Sequence, residues 1–177
     1  SLTKLEKTFG VMGNQLYFHA HGVDLSELGA PIFKGQISYG KSQVLLRDYC
    51  DPEEIKCVML EMCEEVGKRA RDNRKAGRTI HLSMGYSKHE RGGGFSRSVS
   101  IESPTNQTME IYRACLYLFD KFYEHKTVRQ ISISLANIVE DDALQLNLLQ
   151  SDVIKERKLN YTVDALRNKF GQDAVLR

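Results

Sequence analysis

The chain has 177 residues, a formal net charge of +2 and a hydrophobic content of 41%, values typical of a globular domain rather than a fibrous or disordered chain. No apolar run approaches the ~20 residues that span a bilayer, and no signal-peptide pattern is visible, so we expect a cytoplasmic protein with no membrane partner. The four cysteines, Cys50, Cys57, Cys63 and Cys115, lack Cys-x-x-Cys spacing, so no metal site is predicted.

The first segment is predicted to form two short helices, over 2–8 and 14–22, joined by a glycine-containing turn. Gly10 and Gly13 would give this turn positive φ angles, and Val11 lies between them. Free N–H groups at the start of the second helix would then be available to a phosphate. The pattern resembles a helix-hairpin-helix motif, although a turn without any ligand is the common alternative.

The next segment alternates strand and helix in the order βαββαβ, which predicts an α+β fold with four strands and both helices on one face. Asp51-Pro52-Glu53-Glu54 is a strong helix start, because Asp can cap the helix and Pro suits its first position. Ala76-Gly77 is predicted to end this helix, and Ser103-Pro104-Thr105-Asn106 to open the second. The predicted strands cover residues 36–46, 79–87, 95–101 and 128–138, and the apolar stripes of the two predicted helices cover 55–70 and 111–122.

One face of this sheet is predicted to consist of small hydroxyl side chains. Ser96 and Ser98 alternate with apolar residues in the third strand, and Ser132 does so in the fourth. Ser is a poor strand former, so its repeated use suggests contact with a partner rather than solvation alone. Ser hydroxyls can bind phosphate oxygens, and Lys41, Lys88, Arg91 and Arg129 would supply charge at the rim. A wet surface with incidental serines is the alternative.

The C-terminal part has an acidic and then apolar stretch over 140–150, followed by a predicted helix over 151–170 that Gly171 ends. An apolar stripe within this helix consists of Leu159, Val163, Leu166 and Phe170. The acidic and then apolar stretch over 140–150 could be an extended binding peptide. One long helix over 140–170 is the alternative.

Four motifs, in this order, resemble the C-terminal half of Y-family translesion DNA polymerases, and the UmuC/ImpB/MucB/SamB branch in particular. They are Phe9-Gly10-Val11-Met12-Gly13 with the following 16–24, the segment 40–48 beginning Gly40-Lys41-Ser42-Gln43, Gln145-Leu146-Asn147-Leu148-Leu149, and Leu166-Arg167-Asn168-Lys169-Phe170-Gly171.

The resemblance implies that residues 1–30 end the thumb domain, 31–139 form the little finger, 140–150 dock on a bacterial sliding clamp, and 151–177 form a terminal helix. The little finger would lay its sheet along duplex primer-template DNA. The residues expected to contact DNA are Gly10, Val11, Gly13, Lys41, Ser42, Gln43, Lys88, Arg91, Ser96, Arg97, Ser98, Arg129 and Ser132. The residues expected to contact the clamp are Gln145, Leu146, Leu148 and Leu149.

The resemblance also places the catalytic carboxylates, with two magnesium ions, in a palm domain that would precede Ser1. No catalytic residue and no cofactor are therefore assigned to these residues, and the full-length protein is expected to be a bacterial DNA-directed DNA polymerase of the damage response. Accessory SOS subunits are further candidate partners. Leu149 stands where the family's clamp peptide usually has Phe, so weaker docking is expected.

Two other functions fit the same strand order. An RNA-recognition module would need outward aromatic residues for base stacking, but serines occupy those positions at Ser96, Ser98 and Ser100. A small hydrolase would need a nucleophile or base next to an orienting group, and His81, His89 and His125 have no evident partner in the sequence.

Overall fold

The computed structural model describes residues 1–24, 37–90, 93–141, 153–171 and 174–175. The chain divides into two compact units, Ser1–Gly35 and Gln36–Arg177. Within the described ranges, no helix is both long and apolar enough to cross a membrane.

The first unit contains two helices, α1 over Leu2–Phe9 and α2 over Val11–Ala20. Gly10 separates them with a φ of 59°, as the sequence predicts. The second helix begins three residues earlier than expected, and the prediction for Gly13 is wrong: this residue is helical, buried and without positive φ. A Cβ atom at Gly13 would lie 2.2 Å from the carbonyl oxygen of Leu5. Glycine is therefore needed here because the two helices approach closely, not because the chain turns.

The second unit confirms the βαββαβ order and the α+β class. Its elements are β1 (Tyr39–Tyr49), α3 (Pro52–Asp72), β2 (Lys75–Tyr86), a short 3₁₀ turn (Lys88–Glu90), β3 (Gly94–Thr105), α4 (Thr108–Phe122), β4 (Val128–Glu140) and α5 (Val153–Phe170). The predicted start of α3 is confirmed, since the backbone N–H of Glu53 donates to the Asp51 carboxylate at 3.0 Å.

Two predicted helix boundaries are wrong, for one reason. Gly77 does not end α3 but lies within β2, where it is paired with Thr105 on one side and Ile138 on the other. The predicted helix start at Ser103–Asn106 is instead the end of β3, and α4 begins at Thr108. Long-range strand pairing outweighs these local turn signals, because the pairing of Gly77 with Thr105 satisfies backbone groups of both strands.

The four antiparallel strands lie in the order β1-β4-β2-β3, so β1 and β3 are the edges. One face of the sheet packs against α3 and α4, as predicted. The core is fully buried and consists mainly of aliphatic side chains from these elements: Ile55, Met59, Met62, Ile80, Leu82, Ile111, Leu118, Ile131, Ile133 and Leu135. The opposite face is left for contact with solvent or a partner.

Helix α5 is correctly predicted, but the face that it turns inward is not. Of the predicted apolar stripe only Val163 is buried, and Leu159, Leu166 and Phe170 are exposed. The buried contacts are polar: Asp164 pairs with Arg71 at 2.6 Å, and Arg167 pairs with Glu64 at 2.8 Å. The alternative of one long helix from residue 140 is wrong, because Glu140 is the last residue of β4.

Candidate nucleic-acid interface

The open side of the sheet has a row of four serines, one on each strand. Ser42 of β1 is paired with Ser132 of β4, Ser132 with Ser83 of β2, and Ser83 with Ser96 of β3. Directly paired residues in antiparallel strands project from the same side of the sheet. The four hydroxyls therefore lie side by side across the whole sheet, roughly 5 Å apart from strand to strand.

The next row continues the same surface with Gly40, Ser134, His81 and Ser98, paired in that order. We call the eight residues of these two rows the serine face. Its hydroxyls are linked to their neighbours: the His81 Nε2 and Ser96 Oγ atoms are 2.8 Å apart, and the Gln130 amide donates to the Ser42 hydroxyl at 3.4 Å.

A shallow depression of about 420 Å³ lies at the Gly94 end of this face. Glycine forms much of its lining, at Gly85, Gly93 and Gly94, next to Ser83 and Ser96. Side chains that lack bulk let the backbone of a partner molecule approach the sheet closely. The depression therefore leaves room for the backbone of a partner to approach the sheet.

Three predicted contact residues lie on the opposite side of the sheet. Lys41 and Gln43 are paired with the buried Ile133 and Ile131, so they project toward the helices. The Lys41 ammonium there forms an ion pair with Glu65 of α3. The expected DNA contacts of Lys41 and Gln43 stay a prediction, but the two residues do not share a side of the sheet with Ser42, because neighbouring residues of a strand point to opposite sides.

Arg97 also faces the helices, since it is paired with the buried Leu82. Its guanidinium lies 5.1 Å from the centre of the Phe122 ring in α4, a cation–π contact that anchors it at the sheet edge. The sequence already placed Arg97 among the apolar positions of its strand. Its expected contact with DNA stays a prediction, but such a contact would not be made from the serine face.

The other basic residues predicted at the rim are Arg129, Lys88 and Arg91, and they do not share one environment. Arg129 is 3.5 Å from the Asp48 carboxylate, which also accepts a 2.6 Å hydrogen bond from the buried Ser87. Lys88 is exposed in the 3₁₀ turn after β2, and Arg91 lies outside the described residues. Within the two rows of the serine face, His81 is the only residue that can acquire a positive charge.

The turn of the first unit leaves its tip open. Val11 is 81% exposed, and a Cβ atom at Gly10 would meet nothing within 4 Å. Gly13 does not share this surface because it is buried between the helices. The predicted clamp-binding residues Gln145, Leu146, Leu148 and Leu149 lie outside the described residues.

Ser42, Ser96, Ser98 and Ser132 are thus the predicted contact residues that the fold brings together. Ser83, Ser134 and His81 complete the surface. The alternation of apolar and polar positions places them on the same side, although they were not among the predicted contacts. Among the residues that the structure describes, no group of three or more His, Cys, Asp or Glu side chains is placed to hold a metal ion.

Comparison with known proteins identifies the family. Residues 36–148 match the impB/mucB/samB family C-terminal domain. The chain is 60% identical over 176 residues to the candidate UV-damage repair protein UvrX of Bacillus subtilis (strain 168), covering 99% of this chain and 42% of the relative. It is 65% identical over 125 residues to the DNA repair protein homolog YobH of the same organism, covering 71% of this chain and 58% of the relative.

A third relative is DNA polymerase IV 2 of the same strain, which is 37% identical over 177 residues, covering 99% of this chain and 43% of the relative. The chain thus spans only about half, or less, of the length of these relatives. The matched domain, the strand order and the similarity along nearly the whole chain agree with the resemblance noted in the sequence motifs. The chain therefore belongs to the impB/mucB/samB family and contains the C-terminal domain of that family.

Proposed function

We propose that the serine face binds the sugar–phosphate backbone of duplex primer-template DNA without sequence preference, as part of a lesion-bypass DNA polymerase. The observation that supports this is the row Ser42-Ser132-Ser83-Ser96, which crosses all four strands. Hydroxyl groups donate to phosphate oxygens and carry no base information. Repair and polymerase names among the relatives support the same role.

The geometry favours DNA backbone contact over recognition of single-stranded RNA. Base stacking on a sheet requires flat aromatic rings on the central strands. Ser83 and Ser132 occupy those places on the two central strands, and Ser96, Ser98 and Ser100 are the β3 residues paired with Ser83, His81 and Thr79 on the same side of the sheet. Short hydroxyl side chains can hydrogen-bond a backbone but offer no surface on which a base can stack.

Two other contacts belong to the same proposal. We propose that the exposed tip at Gly10 and Val11, next to the first turn of α2, also binds a phosphate of the DNA. Gln145-Leu146-Asn147-Leu148-Leu149 has the concentrated leucines of a short docking peptide, and we propose that it binds the apolar pocket of a bacterial sliding clamp. Nucleotidyl transfer, with its two magnesium ions, is proposed for the whole protein and involves none of the residues described here.

The DNA-binding role can be tested by placing a negative charge on the serine face. Ser83→Glu should weaken duplex binding at least about tenfold, since like charges at an interface oppose association. Ser103→Glu is the matched control, because Ser103 lines a groove between β3 and α4 on the other side of the sheet. Affinity would be measured by fluorescence anisotropy for two unrelated duplexes at two salt concentrations.

Wild-type affinity should fall as salt rises and should be equal for the two duplexes. A strong preference for one duplex, salt-independent binding, or equal losses in Ser83→Glu and Ser103→Glu would contradict the proposal.

A further inference from the structure

His81 lies in the middle of the serine face, on the central strand β2. Its direct neighbours across the strands are Ser98 on β3 and Ser134 on β4. The ring is half-buried, and its Nε2 atom is 2.8 Å from the Ser96 hydroxyl. Such a contact holds the imidazole on the face, with its Nε2 edge against a serine.

No fixed charge surrounds the imidazole within the described serine face. The same-side neighbours on its own strand are Thr79 and Ser83. Those on β3 and β4 are uncharged as well, namely Ser96, Ser98, Ser100, Ser132, Ser134 and Ala136. The charged residues Lys41 and Arg97 of β1 and β3 project to the helix side, where Lys41 meets Glu65. Because these two rows contain no carboxylate and no permanent cation, no other charge in them offsets a change in the charge of His81.

We propose that His81 and Ser96 form a phosphate contact that depends on protonation of the imidazole, so that this face holds DNA more tightly when His81 is charged. The inference rests on the proposed DNA-binding function. Histidine is the side chain whose charge ordinarily changes between about pH 5 and 8, and a phosphodiester remains negative throughout that range.

The hydrogen bond between the two residues explains how one proton changes two donors. When the neutral ring accepts at Nε2, the Ser96 hydroxyl donates to it and is not available to a ligand. Once the ring is protonated, Nε2–H donates to the Ser96 oxygen, so the hydroxyl hydrogen can turn outward to a phosphate oxygen. Nδ1–H becomes a charged donor at the same time. Protonation thus adds one charge and redirects one hydroxyl.

The role of His81 is tested by measuring duplex binding by the 177-residue chain at pH 8.0 and pH 6.0 with the sodium concentration held constant. Wild-type affinity should rise roughly three- to tenfold at the lower pH, the effect of one screened charge contact. The slope of log affinity against log salt should steepen by about 0.9 for the added phosphate contact.

His81→Gln keeps a polar partner for Ser96 but cannot gain a proton, so its affinity should change markedly less between the two pH values than that of the wild type. His125→Asn is the matched control, because His125 is exposed and has a φ of 55°, which Asn tolerates. This control should retain the wild-type pH effect. An NMR titration of the His81 imidazole should show that bound duplex favours the protonated ring.

The two hypotheses fail in different ways. If Ser83→Glu leaves duplex affinity unchanged, the DNA-binding function of the face is wrong. If Ser83→Glu weakens binding but His81→Gln keeps the wild-type pH effect, or the wild type shows none, the face binds DNA and the role of His81 is overturned.

Discussion

The guanidinium of Arg71, at the end of α3, binds the carboxylate of Asp164 in α5 through two hydrogen bonds. Nε donates to Oδ2 at 2.6 Å and Nη2 donates to Oδ1 at 3.0 Å. Nη1 donates to the backbone carbonyl of Asn106 just before α4 at 2.6 Å. The two side chains of the pair are 2% and 9% exposed. One buried arginine therefore joins α3, α5 and the start of α4, so α5 is fixed by polar geometry rather than by an apolar seam.

Removing one member of this pair should release α5. Asp164→Asn leaves the buried Arg71 without its counter-charge, which should cost about 3 kcal/mol of docking free energy. Hydrogen exchange of the α5 amides would measure the loss. The exposed Asp72→Asn at the end of α3 is the control and should change little. Replacing both partners, as Arg71→Met with Asp164→Leu, should restore much of the protection. Unchanged exchange in Asp164→Asn would contradict this account.

Gly13→Ala should disrupt the helical pair of the first unit. The new methyl group would lie 2.2 Å from the Leu5 carbonyl oxygen, so the helices must separate, at a cost of about 3 kcal/mol. Gly10→Ala meets no neighbour but must adopt φ 59° with ψ −136°, a backbone conformation almost restricted to glycine, at a cost of about 1–3 kcal/mol. Amide exchange across α1 and α2 should therefore rise more in Gly13→Ala than in Gly10→Ala. The reverse order would show that the turn, not the helix contact, limits this unit.

The four thiols should fall into two classes of reactivity. Cys50 and Cys57 are exposed, whereas Cys63 and Cys115 are buried. A thiol reagent should modify two cysteines per native chain rapidly and the other two only after denaturation. Cys57→Ser should remove one rapid equivalent, and Cys115→Ala should remove none. Rapid modification of three or four thiols in the native protein would contradict the buried positions.

The buried thiol of Cys63 should make the free energy of unfolding depend on alkaline pH. The hydrogen bond to Cys115 and burial raise the pKa of the Cys63 thiol well above its ordinary value. The unfolded chain therefore ionises this thiol first, so its contribution to stability is complete below about pH 8.5 and declines above it. Urea denaturation should show that the free energy of unfolding falls less between pH 7 and pH 10 in Cys63→Ala than in Cys57→Ala, which lacks an exposed thiol. Equal falls would contradict the prediction.

The clamp-binding proposal predicts that two leucines contribute to binding but not to folding. Replacing Leu148 and Leu149 by Ala should remove roughly 2–4 kcal/mol of clamp binding, from the apolar area lost. Leu149→Phe should tighten binding, because an aromatic ring buries more area. Calorimetric titration with a bacterial sliding clamp tests both, and Leu166→Ala, at an exposed leucine of α5, is the control. A double variant that melts many degrees lower would place these leucines in a core.

Local patterns in the sequence were sufficient for the element order, the α+β class, the cap at Asp51 and the polar side of the sheet. Alternation along a strand and capping at a helix end depend on residues close together in the chain, so they can be predicted from a short window. The same alternation assigned Ser96, Ser98 and Ser132 to one side, and the structure confirms that assignment. The family motifs added the resemblance that the comparisons confirm.

Only the tertiary structure decided which residues meet. The serine row exists because the register aligns Ser42, Ser132, Ser83 and Ser96 across strands that are distant in sequence. The tertiary contacts also show Gly13 as a packing residue, Lys41 as a partner of Glu65, and the inward side of α5 as polar. Register and helix docking depend on contacts between distant residues, and several alternatives satisfy the same local pattern. Burial of apolar side chains and charge pairing between those distant residues select one of these alternatives.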